Sequence, residues 1–130
     1  MIQRIQTLYL LLISFCSTLG WFLLPTLDFS IMDFPLYTVS KAYLILSGGI
    51  GFFTLLLYKN RKLQLLFNRT HFFFQTLTGV GLVYGLTNSP YMNTLLTWSA
   101  ITGFILILLI LSIRAIQKDE DLIRSIDRLR

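Results

Sequence analysis

Four stretches of the chain are almost wholly apolar, and polar or charged stretches separate them. They cover residues 5–24, 42–58, 71–86 and 94–113. A helix needs about 20 apolar residues to cross the hydrocarbon core of a bilayer. The first and fourth runs meet that length. Tyr37 and Val39 extend the second, and Leu65, Leu66 and Phe67 extend the third. None of the four carries an acidic or basic residue in its central part. Lipid offers the backbone no hydrogen-bonding partner, so each run is predicted helical. The expected fold is an all-α membrane four-helix bundle, one domain over residues 1–130, whose fourth helix continues into a short amphipathic helical tail over 114–130. The third run is the most polar, with Gln75, Thr76, Thr78 and three glycines. A re-entrant third segment is the alternative, and it would leave three crossings.

The first run is read as a retained helix. Its apolar core is too long for a signal peptide, and Trp21 and Phe22 follow Gly20 where small residues would mark cleavage. Trp21 suits the far membrane interface.

Composition supports a lipid-embedded class. Of 130 residues, 55% are hydrophobic and only 13% charged, against about 25% charged in a soluble domain. Mean hydropathy is +0.70. The net charge of +5 invites a nucleic-acid reading, but the basic residues flank apolar runs and form no stripe among aromatics. Anionic lipid explains the excess. Cys16 is the one cysteine, so no intrachain disulfide is available. Bulky Phe15 before it and the apolar run after it argue against a lipoprotein signal, and it reads as a buried apolar thiol.

Charge placement gives an orientation. Arg4 precedes the first run, Lys59, Arg61, Lys62 and Arg69 follow the second, and Arg114, Lys118, Arg124, Arg128 and Arg130 follow the fourth. Only Lys41 of the 11 basic residues falls elsewhere. The positive-inside rule then puts both termini and the middle connection in the cytoplasm, N-in and C-in. Four crossings satisfy this at every segment, and three do not. The expected location is the bacterial inner membrane, multi-pass.

The first outer loop, residues 25–40, mixes Asp28 and Asp33 with Phe29, Ile31, Phe34, Leu36 and Tyr37. It reads as an interfacial cap rather than a ligand site, because nothing in it converges chemically. In the tail, Leu122, Ile126 and Leu129 follow i, i+4, i+7 spacing, with Ile123 beside them. Glu120 and Arg124 form an i, i+4 pair. Asp121, Arg124, Ser125 and Arg128 make the other face polar. Such a stripe needs a surface, and its mixed charge suits a protein partner or a second copy better than lipid alone.

Small residues recur at four-residue spacing: Ser47 with Gly51, Gly81 with Gly85, Ser99 with Gly103. This lets helices approach closely. Packing within one bundle is the expected use, with homodimerisation the alternative. His71, the only histidine, is expected at the solvated start of the third helix. No Cys or carboxylate stands at metal-ligand spacing from it. That edge position argues against a serine–histidine pair at membrane depth. All six acidic residues lie outside the runs, which argues against ion or proton transport. Gln75 reads as interhelical glue. No phosphate-binding glycine loop is present. The expectation is a non-enzyme with no cofactor and no metal.

The opening Met1-Ile-Gln-Arg-Ile-Gln-Thr-Leu-Tyr-Leu-Leu, the middle Tyr58-Lys-Asn-Arg-Lys-Leu-Gln and the tail from Arg114 to Arg130 resemble domain-of-unknown-function family 4293. The resemblance implies a small four-helix inner-membrane protein of Bacteroidota, and it carries no activity. It draws attention to one face. The candidate interaction residues there are Arg4 and Gln6, then Asn60, Arg61, Lys62 and Gln64. The tail adds Lys118, Asp119, Glu120, Arg124, Asp127 and Arg128. Snorkelling to headgroups accounts for Arg4 and Lys62, but not for the tail carboxylates.

Three functions compete. The first is a subunit or scaffold that docks a membrane or cytoplasmic protein, or another copy of itself, through its cytoplasmic face. The second is a small transporter or channel for an apolar or zwitterionic solute, around Gln75. The third is a lipid-acting enzyme using Asp28, Asp33 and His71. The first fits the amphipathic tail, and the third is the weakest because His71 falls on the opposite side from both Asp.

Overall fold

The computed structural model describes the backbone of residues 2–24, 30–31, 34–88 and 92–128, and the side chains of 5–24, 41–86 and 92–125. Among them are four α-helices: α1 (Ile2–Leu23), α2 (Leu36–Leu56), α3 (Arg61–Asn88) and α4 (Met92–Arg128). Between α1 and α2, Ser30–Ile31 (β1) and Phe34–Pro35 (β2) pair as a two-residue antiparallel hairpin. The side chains of the first outer loop, and so its role as a cap, lie outside the described residues.

Local chemistry sets the ends. Pro25 follows α1, and a residue before proline is pushed out of helical geometry. Leu57–Lys59 tighten into a 3-10 turn after α2. Asn60 then caps α3, its Oδ1 accepting the Leu63 amide at 3.4 Å. Such caps satisfy amides that the first helical turn leaves free.

Side-chain contacts fix the topology. Gln6 of α1 meets Ala115 of α4, and Ser17 meets Ser47 of α2. Ser47 also meets His71 of α3, and Asn68 of α3 meets Ser112 of α4. Along neighbouring helices the numbering runs in opposite senses. Gly51 lies by Ile13 but Leu44 by Gly20, Ser47 meets His71 but Tyr43 meets Gln75, and Asn68 meets Ser112 but Gln75 meets Thr102. The bundle therefore runs up, down, up, down. Both the α2–α3 turn and the end of α4 lie with the start of α1. This is the basic end.

The core has two apolar centres. Leu10, Ile13, Ile105, Leu108 and Leu109 fill the half nearer the basic end, with half-buried Cys16 against them. Leu24, Leu44, Leu82, Leu95 and Trp98 fill the far end. There Trp21 stacks edge-on against Phe22 at 4.6 Å and carries the Lys41 ammonium 5.9 Å from its ring centre. The outward faces are strongly apolar too, including Phe15, Phe52, Phe73, Leu77 and Val83. Three helices, α1, α2 and α4, are long and apolar enough to cross a membrane.

The observed bounds depart from those read along the chain. α2 starts at Leu36 rather than 42. The largest difference is α3, which begins at Arg61, ten residues before the expected 71. Residues 61–70 look like a loop because they are polar and basic. They are helical because Gln64, Asn68, His71 and Gln75 share one face and point inward, where all four are buried. Leu66, Phe73, Phe74 and Leu77 point outward. α3 is thus polar inside and apolar outside, which suits lipid as solvent. The tail continues the fourth helix as expected, since α4 runs unbroken to Arg128.

The small residues divide. At the α1–α2 crossing, a Cβ on Gly51 would lie 3.3 Å from Ile13 Cγ2 and 3.4 Å from the Ser14 amide nitrogen. Ser47 is fully buried beside it, and Ser14 donates to the Gly48 carbonyl at 3.1 Å. A Cβ on Gly85 would lie 3.5 Å from Leu95 Cδ2. Gly81 and Gly103 face open space, and Ser99 bonds its own helix at the Leu96 carbonyl. Packing within the bundle therefore uses Ser47, Gly51 and Gly85. Gly81 makes no close contact, while Ser99 and Gly103 line an open apolar groove between α3 and α4 rather than a tight crossing.

Candidate functional site

Polar side chains tie all four helices together through the interior. Ser17 Oγ and Ser47 Oγ lie 3.0 Å apart, and Ser47 Oγ is 2.8 Å from His71 Nε2. That chain links α1, α2 and α3. Tyr43 donates its hydroxyl to Gln75 Oε1, and Gln75 Nε2 donates to the Thr102 carbonyl at 3.3 Å, linking α2, α3 and α4. Asn68 Nδ2 donates to Ser112 Oγ at 3.1 Å. Gln6 Nε2 donates to the Ala115 carbonyl at 2.9 Å. In an apolar solvent each bond is worth about 0.6–2 kcal/mol.

This arrangement corrects the placement of His71. It is 1% exposed, buried in the bundle rather than solvated at its edge. The reason is the longer α3, which puts ten residues before it. A hydroxyl–imidazole pair at depth therefore exists, Ser47 with His71. Ser47 Oγ is shared with Ser17, and His71 Nδ1 has no hydrogen-bond partner among the described residues. Among the described residues no carboxylate orients the ring, and none of the described clefts is lined by Ser47 or His71. The geometry ties the helices together. Among the described residues, no three His, Cys, Asp or Glu side chains gather at metal-binding distance.

The basic end carries the charged chemistry. Arg61 Nη1 lies 2.7 Å from Asp119 Oδ2 and joins the start of α3 to α4. Neither atom is aligned for a hydrogen bond, so the attraction is Coulombic. Glu120 and Arg124 form the i, i+4 pair at 2.7 Å. Lys62 and Lys118 are exposed, as is the capping Asn60. Two open clefts flank the ridge formed by Lys62, Glu120 and Arg124. One, of about 580 Å³, adds Leu65, Arg69, Gln117 and Asp121. The other, of about 390 Å³, adds Lys59, Asn60, Arg61 and Ile123.

The structure brings together Asn60, Arg61, Lys62, Asp119, Glu120 and Arg124. Gln6 and Gln64 do not join them, because both point into the bundle and are nearly fully buried. The side chains of Arg4, Asp127 and Arg128 lie outside the described residues. Tyr43, Asn68, Ser112 and Arg69 were missed. Spacing alone could have found Asn68, since 64, 68, 71 and 75 repeat at helical period.

Four antiparallel helices, three able to span a bilayer, with polar ties inside and apolar faces outside, fit a small helical membrane protein of the bundle class. The chain belongs to the family described as Domain of unknown function (DUF4293), which matches residues 30–129. No curated protein matches the chain, and no solved structure does.

Proposed function

We propose that this chain is a non-enzymatic inner-membrane subunit that docks a protein partner on the projecting end of α4, with its basic end in the cytoplasm. The observation that carries this reading is the length of α4. At 1.5 Å per residue its 37 residues reach about 55 Å, while the 28 of α3 reach about 42 Å. The Arg61–Asp119 pair ties α4 to the start of α3, and the helix continues to Arg128. Leu122 and Ile123 on that extension are 43% and 41% exposed. The many exposed apolar residues of the span have lipid to lie in. These two stand among Lys118, Asp119, Glu120, Asp121 and Arg124, in the aqueous zone. An apolar stripe in water, flanked by both signs of charge, suits a partner groove that takes one helix face.

A transporter or channel reading requires Gln75 to line an open polar path. Gln75 faces inward, but its amide is engaged with Tyr43 and Thr102, which favours docking. The test is purification of the full chain from its native membranes in several mild detergents, with mass spectrometry of what accompanies it. A stoichiometric protein should co-purify with the parent chain and be lost from the Leu122→Asp/Ile123→Asp variant. Recovery of a lone monomer in every detergent overturns the reading.

A further inference from the structure

We infer that the outer seam between α3 and α4 is a binding site for one anionic phospholipid, its phosphate-bearing headgroup in the 580 Å³ cleft and an acyl chain in the groove beyond. The inference does not rest on the docking reading, although its cleft shares Glu120, Asp121 and Arg124 with the end of α4.

Two cavities that look separate share one face. Lys62 and Arg69 line the charged cleft, while Thr76 and Val83 line a second, apolar groove of about 360 Å³. These four positions recur every seven residues along α3. On α4, Gly103 of the groove and Gln117 and Arg124 of the cleft recur at multiples of seven. Seven residues are close to two turns, so each series holds one side of its helix. The cleft and the groove are therefore collinear, the first at the basic end and the second deeper in the span.

Charge selects the headgroup. Lys62, Arg69 and Arg124 converge on the cleft, and Lys59 and Arg61 stand in the adjoining one. Of the two carboxylates that line the cleft, Glu120 is held by Arg124 and Asp121 is exposed, so against Lys62, Arg69 and Arg124 the lining keeps an excess of one positive charge. Lys62 and Arg69 carry no ion pair to a described residue. Guanidinium and ammonium groups form strong charge-assisted hydrogen bonds to phosphate oxygens. Depth selects a lipid over a free anion. From Arg69 to Val83 is 14 residues, about 21 Å of helix, which covers the half-thickness of a core about 30 Å across. Gly79 and Gly103 keep the groove floor low, and a Cβ on Gly103 meets nothing within 4 Å.

Native mass spectrometry of the full chain, titrated with phosphatidylglycerol and separately with phosphatidylcholine, tests this. One phosphatidylglycerol should bind preferentially. Lys62→Gln/Arg69→Gln should weaken it roughly fivefold per cation removed. Lys118→Gln, outside both clefts, should leave it unchanged. Gly103→Leu should fill the groove without disturbing the fold and should also expel the lipid. Glycerophosphoglycerol and inorganic phosphate are the soluble arms. If either binds as tightly as the lipid, the cleft is a free-anion site and the inference fails. It fails equally if Lys118→Gln weakens binding as much as the double variant, if the two lipids bind alike, or if Gly103→Leu changes nothing.

Discussion

Gly51 and Gly81 share a residue type and a sequence context, yet their surroundings are opposite. Gly51 lies where α1 and α2 come closest, against Ile13 and the Ser14 backbone. A side chain there must push apart two backbones that Ser14 and Ser17 tie with hydrogen bonds. Gly51→Val should therefore destabilise the bundle by about 1–3 kcal/mol, the usual cost of overpacking. Gly81→Val should cost nothing by packing, because open space surrounds that position. Unfolding both variants by titrating SDS into mild detergent separates them. Equal loss in both would mean that the α1–α2 crossing is not the tight contact. The two glycines are indistinguishable in sequence, since spacing reveals a face but not what that face meets.

At the scale of the element, α3 governs what was readable. Its inward Gln64, Asn68, His71 and Gln75 lower its hydropathy, so a search for apolar runs finds only its second half. The repeat of those polar residues at helical period was visible but is weak against a background of Lys59, Arg61, Lys62 and Arg69. Bonding partners are set by the approach of other helices, so Tyr43 with Gln75 could not be read from one chain segment. The same logic gives a prediction whose sign opposes hydropathy. Gln75→Leu makes α3 more apolar, which favours insertion. It also leaves the Tyr43 hydroxyl and the Thr102 carbonyl without their partner, and an unmatched polar group costs about 1–3 kcal/mol. The variant should insert normally and unfold at lower SDS than the parent, as should Asn68→Leu. Unchanged or raised resistance would show that these bonds are not holding the bundle.

For the whole molecule, alternation of charge along the chain and alternation of direction in the bundle give the same arrangement independently. The contacts that join Gln6 to Ala115 and Arg61 to Asp119 bring the start of α1, the α2–α3 turn and the end of α4 to one end. Those are the segments that hold all the basic residues except Lys41. Such agreement is expected if α3 crosses fully, and it makes sidedness testable at three exposed positions, Lys59, Asn93 and Lys118. In a Cys16→Ala background, single cysteines at these sites can be probed with a membrane-impermeant maleimide on intact cells and again after permeabilisation. Asn93→Cys should react in intact cells. Lys59→Cys and Lys118→Cys should react only after permeabilisation, because both stand at the basic end, where the inner leaflet attracts Lys and Arg. Opposite behaviour of Lys59→Cys and Lys118→Cys would show that α3 and α4 do not both cross. Reaction of both in intact cells would invert the protein and move the docking surface of α4 to the other side of the membrane.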